Sequence, residues 1–258
     1  MERLRYAALA LALLSTGGGV ALSATAPPSP AAQGVEGDLA TARMLAAMLQ
    51  SARGVVSAHQ SEINDPATGD KHLPGRRVLA EAVDRFRAQT GLDPNAVDPK
   101  SYAGRLLRAQ MDAIIEVMDA NQTTINQEGV GFKGFIPATF ARLVNEAFER
   151  RVGGEASIKV TAPLPLVRNR QSRPDPWEVA TIADHFETAN WPKGELFSQV
   201  TGEGKNQRVR VAVPEYYAES CLSCHGSPAG ELDITGYPRE GAKLGDLGGV
   251  ISIQLMPQ

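Results

Sequence analysis

Two cysteines and a histidine lie close together at Cys221, Cys224 and His225, and the chain contains no other cysteine. The C-x-x-C-H spacing is the attachment signature of c-type haem. In such a site the two thiols form thioethers with the vinyl groups of the porphyrin, and the histidine coordinates the iron as proximal ligand. The motif therefore predicts one covalent haem c, bonded to Cys221 and Cys224, with His225 as an iron ligand.

Three other roles for the two thiols are open at this point. A redox dithiol is typical of a βαβ context, but Pro228 and Gly230 follow closely and disfavour a long helix after the motif. A zinc site needs four ligands, and the adjacent Cys224 and His225 would share one tetrahedral ion poorly. A structural disulfide of an exported protein is the third alternative.

Helices dominate the first half of the chain. Apolar residues recur at steps of three and four from residue 41 to about residue 60, which predicts a helix whose buried side carries His59 near its end. Further helices are predicted from similar patterns that end at glycine or begin at proline, over residues 77–90, 101–126 and 137–150.

In the second half, successive residues alternate between an apolar face and the opposite face over residues 156–161, 208–213 and 250–255. This period of two is typical of half-buried strands. A weaker strand over 196–201 is expected to form a hairpin with the 208–213 strand. Pro214 is expected to end that strand, and a short helix with Trp177 is expected over 175–188. Helices followed by an antiparallel sheet predict an α+β fold, with helices packed on one face of the sheet.

The N-terminal residues have the pattern of a secretory signal. Arg3 and Arg5 precede an apolar run, and small residues follow it. We predict a signal peptide over 1–26, a flexible leader over 27–35 and a folded domain over 36–258. The predicted location is the periplasm, and an uncleaved signal would anchor the chain to the membrane.

The composition of the chain limits the classes of partner that are expected. The net charge of −3 gives no reason to expect nucleic acid or an anionic membrane surface as a partner. No second apolar run of about 20 residues follows the signal, so no membrane span is expected in the mature chain.

Several motifs follow one another in a fixed order, at residues 132–140, 168–169, 174–178, 221–226, 235–237 and 245–249. This series resembles the bacterial periplasmic haem-c domains with a PAS-like fold. The resemblance implies a PAS-like antiparallel sheet, one covalent haem and a role in redox or ligand sensing. A helical segment at about 76–128 is longer than a minimal member of such a family needs.

The resemblance also implies that a second iron ligand can come from the first helix of the domain. On that helix we predict His59 as the ligand, and the alternative is a core histidine bonded to a carbonyl. Less favoured candidates for this ligand are Met44, Met48, His72, His185 and Met256.

Haem propionates need cationic partners, and the fork of an arginine suits a carboxylate. Arg168 precedes Trp177 in a loop that also holds Arg170 and Arg173, and we predict Arg168 as a propionate partner. A solvated basic loop is the alternative. Tyr216 and Tyr217 precede the motif and are expected to line the pocket.

These features predict a sensor that reports redox state or a small ligand to a separate protein partner. A periplasmic electron carrier with a single haem is the alternative. Catalysis is not expected, because the sequence supplies no distal acid and base groups.

Overall fold

The computed structural model describes residues 30–258, so the predicted signal peptide lies outside the described residues. The helices are α1 (Pro30–Ala58), α2 (Gln60–Ile63), α3 (Gly75–Thr90), α4 (Tyr102–Ala120), α5 (Gln122–Ile125), α6 (Pro137–Val152), α7 (Pro176–Thr181) and α8 (Leu222–His225). The strands are β1 (Ala156–Thr161), β2 (Phe197–Thr201), β3 (Arg208–Tyr216) and β4 (Leu247–Leu255). None of the helices within residues 30–258 has the length and apolar character needed to cross a membrane.

The helix ends follow local chemistry. The left-handed Gly91 ends α3, and the Ser101 side chain caps α4 by accepting from the Gly104 amide. The predicted third helix is divided at Asn121 into α4 and α5. The first helix begins earlier than predicted, at Pro30, and therefore includes residues 30–35 of the predicted leader.

The helices α1, α3, α4 and α6 pack together around a large apolar core. The inner faces meet through fully buried aromatic side chains at Phe86, Phe140 and Phe148. Both α1 and α6 also pack on the sheet, so the helical half and the sheet half share one core.

The sheet is antiparallel, with the strand order β1-β4-β3-β2. Ile253 of β4 pairs with Ile158 of β1 on one side and with Val211 of β3 on the other. These three residues lie on the face that the long helices cover. The α+β class and the packing of the long helices on one face are as predicted.

A short segment covers part of the opposite face. It consists of α7 and the π-helix Ile182–Phe186 that continues it. Ile182 and Phe186 pack with Ala212 and Val250, which point away from the long helices because side chains alternate along a strand.

Pro214 does not end β3, contrary to prediction, because the strand continues to Tyr216. Its neighbour β2 begins its pairing at Phe197 opposite Ala212, so no β2 residue needs a hydrogen bond from position 214. The extension carries the chain directly to Tyr217 and the C-x-x-C-H motif.

Candidate functional site

The C-x-x-C-H motif forms a compact helical turn at the end of β3. The 3₁₀ turn Glu219–Cys221 leads into α8, which ends at Gly226. A Cβ at Gly226 would lie 2.5 Å from the Leu222 carbonyl oxygen, so this close packing requires glycine. Both thiols are free and partly exposed, and they lie one turn apart.

The chain after the motif folds back over it. The Ala242 amide donates to the His225 carbonyl at 2.8 Å, and the Gly245 amide donates to the Tyr217 carbonyl at 2.9 Å. These bonds hold the loop before β4 beside the histidine, although it follows the motif by many residues.

Glu240 in this loop binds the imidazole of His225. Its Oε2 atom lies 2.9 Å from Nδ1. Burial alone would raise the pKa of Glu240, but hydrogen bonds from Arg168 and His225 outweigh it and lower the pKa. An ionised carboxylate can only accept, so Nδ1 carries the hydrogen. In the neutral imidazole the lone pair then lies on Nε2, which is the atom that could bind a metal.

Tyr217 covers one face of the imidazole. The two rings stack with their centroids 4.9 Å apart, and the hydroxyl lies 3.3 Å from Nδ1 of His225. Burial, reinforced by the charge of Glu240, raises the pKa of Tyr217 to about 12, so the phenol stays protonated at neutral pH. A Cβ at Gly248 would lie 2.6 Å from Cε1 of this ring, so glycine there lets the ring lie against the backbone.

Arg168 lies in the site, where its guanidinium binds two carboxylates. Nε and Nη2 form a fork on Glu240 at 2.9 and 3.0 Å, and Nη1 donates to Asp233 at 2.6 Å. Nη2 also donates to the Cys224 carbonyl at 3.0 Å. These contacts tie three parts of the site together. The role of Arg168 as a propionate partner stays a prediction, and in this conformation four of its five N–H groups already donate to protein oxygens.

Asp233 is the most deeply buried carboxylate of this group. Burial would raise its pKa, but hydrogen bonds from Thr235 and Arg168 outweigh burial and hold the pKa well below its usual range. Asp233 is therefore charged at neutral pH and fixes the far side of the Arg168 guanidinium.

His59 lies between α1 and α2, and its ring faces two glutamates. Nδ1 lies 2.8 Å from Glu62, and Nε2 lies 2.9 Å from Glu81 of α3. Burial lowers the pKa of His59, but the hydrogen bonds to Glu81 and Glu62 outweigh it and raise the pKa. Among the described residues no hydrogen bond or ion pair links His59 to the motif. Its assignment as the second iron ligand stays a prediction that this conformation does not favour.

A family model described as Tll0287-like (Tll0287) matches residues 34–255, which include both the helical half and the sheet with the motif. The chain belongs to the Tll0287-like family. No curated protein and no solved structure matches it.

In this Tll0287-like protein, α1 contacts the strand that precedes the motif through Arg53, whereas His59 faces Glu62 and Glu81. Arg53 Nη1 lies 2.6 Å from Oε2 of Glu215, near the end of β3. The long first helix is therefore connected to the strand that leads into the motif.

The Tll0287-like protein also exposes large apolar side chains after the motif. Leu232 and Leu244 are 64% and 63% exposed, and Ile234 and Tyr237 are exposed as well. Because these exposed apolar side chains lie in one segment, we treat the segment as a candidate binding surface.

Sequence reasoning missed Glu240 and Asp233. Neither lies in a periodic element, and Glu240 follows His225 across a loop whose path depends on long-range hydrogen bonds. Tyr217 was expected to line the pocket, and the structure places it against His225. Arg168 was expected in the site, but its observed partners are carboxylates of the protein.

Proposed function

We propose that this protein is an exported c-type cytochrome with a single haem, bonded to Cys221 and Cys224 and ligated by His225, and that it acts as a sensor in the periplasm. The observation that carries the proposal is the pairing of His225 Nδ1 with Glu240, next to two free thiols. This pairing leaves Nε2 as the ligating atom.

The residues present fit a covalent haem. Two partly exposed thiols lie one helical turn apart, as two thioether bonds require. Leu232, Ile234 and Leu244, which follow the motif in the chain, leave apolar side chains exposed that would be available to contact a porphyrin. Residues 30–258 contain no group of three or more His, Cys, Asp and Glu side chains that could hold a metal ion, and a haem needs no such group.

A bound haem would supply one-electron chemistry at the iron. The contribution of the chain is positional. Glu240 fixes the tautomer and the orientation of His225, and Tyr217 packs against the imidazole. Arg168 holds Glu240 and the Cys224 carbonyl in place.

The contact between Arg53 and Glu215 favours a sensor. It connects the strand before the motif to α1, which packs against α3, α4 and α6. A change of charge at the site could therefore bias the position of a long helix, and a separate protein partner could detect that change. The alternative is an electron carrier, in which the exposed apolar side chains after the motif would contact a redox partner instead of the porphyrin.

Covalent attachment is tested by producing the protein in a host that matures c-type cytochromes. We expect the haem to stay with the polypeptide after acid–acetone extraction, because thioether bonds survive it. The Cys221→Ala/Cys224→Ala variant should lose all colour on extraction, whereas the control His72→Ala, at an exposed loop position, should retain it. Colourless wild-type protein, with its thiols free or joined to each other, would end the proposal.

Hydrogen exchange of the haem-loaded protein separates the two functions. A sensor should show different protection of α1 in the ferric and ferrous forms. A carrier should show equal protection in both forms, together with fast electron exchange with a small redox protein.

A further inference from the structure

We propose that Glu240 and Arg168 are positioning residues that set the reduction potential of the haem iron through His225, with opposite effects. The inference rests on the proposed function. It concerns a chain of contacts that begins at the imidazole and passes through Glu240 and Arg168 to Asp233.

The first step is the hydrogen bond at Nδ1. A ligating histidine that donates its other ring N–H to a carboxylate becomes a more basic ligand. A more basic imidazole stabilises the ferric iron more than the ferrous iron, because the ferric ion carries the larger charge. Glu240 at 2.9 Å therefore lowers the reduction potential.

The second step is the arginine. Arg168 forms a fork on both oxygens of Glu240, and it draws negative charge away from the imidazole. Its own positive charge also favours the ferrous state. Arg168 therefore raises the potential and limits the effect of Glu240.

Burial of the three charged side chains preserves these electrostatic effects. The side chain of Asp233 is fully buried, and those of Arg168 and Glu240 are 20% and 18% exposed. Solvent screens charges at such positions less than it screens surface charges. Two carboxylates and one guanidinium leave one negative charge in excess close to the proximal imidazole. We infer that this excess keeps the haem at a lower potential than an uncharged hydrogen-bond acceptor would give.

The experiment is a redox titration of the haem-loaded protein and three variants. Glu240→Gln should raise the reduction potential by about 59 mV. For a one-electron couple, this shift lowers the ferric-to-ferrous ratio at a fixed applied potential about tenfold. Arg168→Gln should shift the potential in the opposite direction. Glu231→Gln is the matched control, because it removes the same charge from the same loop at a side chain that is 57% exposed and bonded to Arg239. It should change the ratio less than threefold.

A merely structural role would give a different result. If the two side chains only held the loop in place, Glu240→Gln and Arg168→Gln would shift the reduction potential in the same direction. That outcome overturns the inference. A shift for Glu240→Gln no larger than the shift for Glu231→Gln overturns it as well. Either result leaves the covalent haem, and therefore the proposed function, intact.

A measurement on the wild-type protein without haem covers the case in which the variants do not fold. Nitrogen NMR of His225 should show hydrogen on Nδ1 and a bare Nε2. The opposite tautomer would mean that Tyr217 donates to Nδ1 and that Glu240 does not govern the imidazole, which overturns the inference.

Discussion

Gly248 is the residue on which the stacking of Tyr217 against His225 depends. A Cβ there would lie 2.6 to 2.8 Å from three atoms of a rigid aromatic ring. We expect Gly248→Ala to destabilise the fold by about 1–3 kcal/mol, because the ring must move out of a well-packed position. Urea unfolding measures the loss, and the tyrosine–imidazole contact can be followed by NMR.

Gly37 provides the control for this substitution. It lies in α1, and a Cβ there would meet nothing within 4 Å. Gly37→Ala should stabilise the protein by about 0.5–1 kcal/mol, because alanine loses less backbone entropy in a helix. Equal effects at the two glycines would show that the ring of Tyr217 tolerates the extra methyl group.

Single residues differ in how well the sequence predicts them. Cys221, Cys224 and His225 act together over a short stretch, so their spacing alone suggests the chemistry. Glu240 meets His225 only because backbone hydrogen bonds fold the loop back. Arg168 was expected to bind an anion, and it does bind carboxylates, but sequence could not say that these belong to the protein itself.

Polar contacts hold α7 in its position on the sheet. Asp175 and Glu178 form a capping box at its start. Asp175 also accepts from Arg210 of β3 at 2.7 Å, and the Arg210 guanidinium lies 4.2 Å from the centre of the Trp177 ring. The cap thus fixes α7 on the sheet face opposite the long helices.

Asp175→Ala should cost about 1–2 kcal/mol, because it removes the cap and one partner of Arg210. Burial would raise the pKa of Asp175, but hydrogen bonds from Arg210 and from the Glu178 amide outweigh it and lower the pKa. With a folded pKa below the unfolded value, the stabilisation is present above about pH 4 and is lost as the pH falls through the folded pKa.

Urea unfolding of wild type and variant at neutral and acidic pH checks this result. The difference between the two proteins should narrow in acid. Asp112→Ala, at an exposed position of α4, is the control and should change stability by less than about 0.5 kcal/mol at either pH. If the difference in unfolding free energy between wild type and Asp175→Ala is as large in acid as at neutral pH, the charge of Asp175 does not contribute to stability.

The ends of helices could be predicted from the sequence where a single residue determines them. Gly91 ends α3, and Pro137 lies in the first turn of α6, as the sequence indicates. The change from α7 to the π-helix at Ile182 has no such signal, because it depends on packing against Ala212 and Val250. The placement of β4 between β1 and β3 depends on contacts between distant segments, which periodicity does not encode.

The helical half contacts the strand that leads into the motif through the ion pair of Arg53 and Glu215. His59, at the end of α1, does not point toward the motif. Its ring binds Glu81 of α3 instead. Both ring nitrogens of His59 are bound by carboxylates, so the end of α1 would have to move before this histidine could ligate an iron.

His59→Ala in the haem-loaded protein tests this arrangement. We expect an unchanged absorption spectrum and a loss of about 1 kcal/mol of unfolding free energy, because the variant removes one polar contact to α3 but no iron ligand. His72→Ala, whose side chain is 80% exposed, should change neither quantity. Conversion of a low-spin spectrum to a high-spin one would instead assign His59 to the iron. In that case the end of α1 must turn toward the motif when haem is bound, and α1 itself would carry the signal.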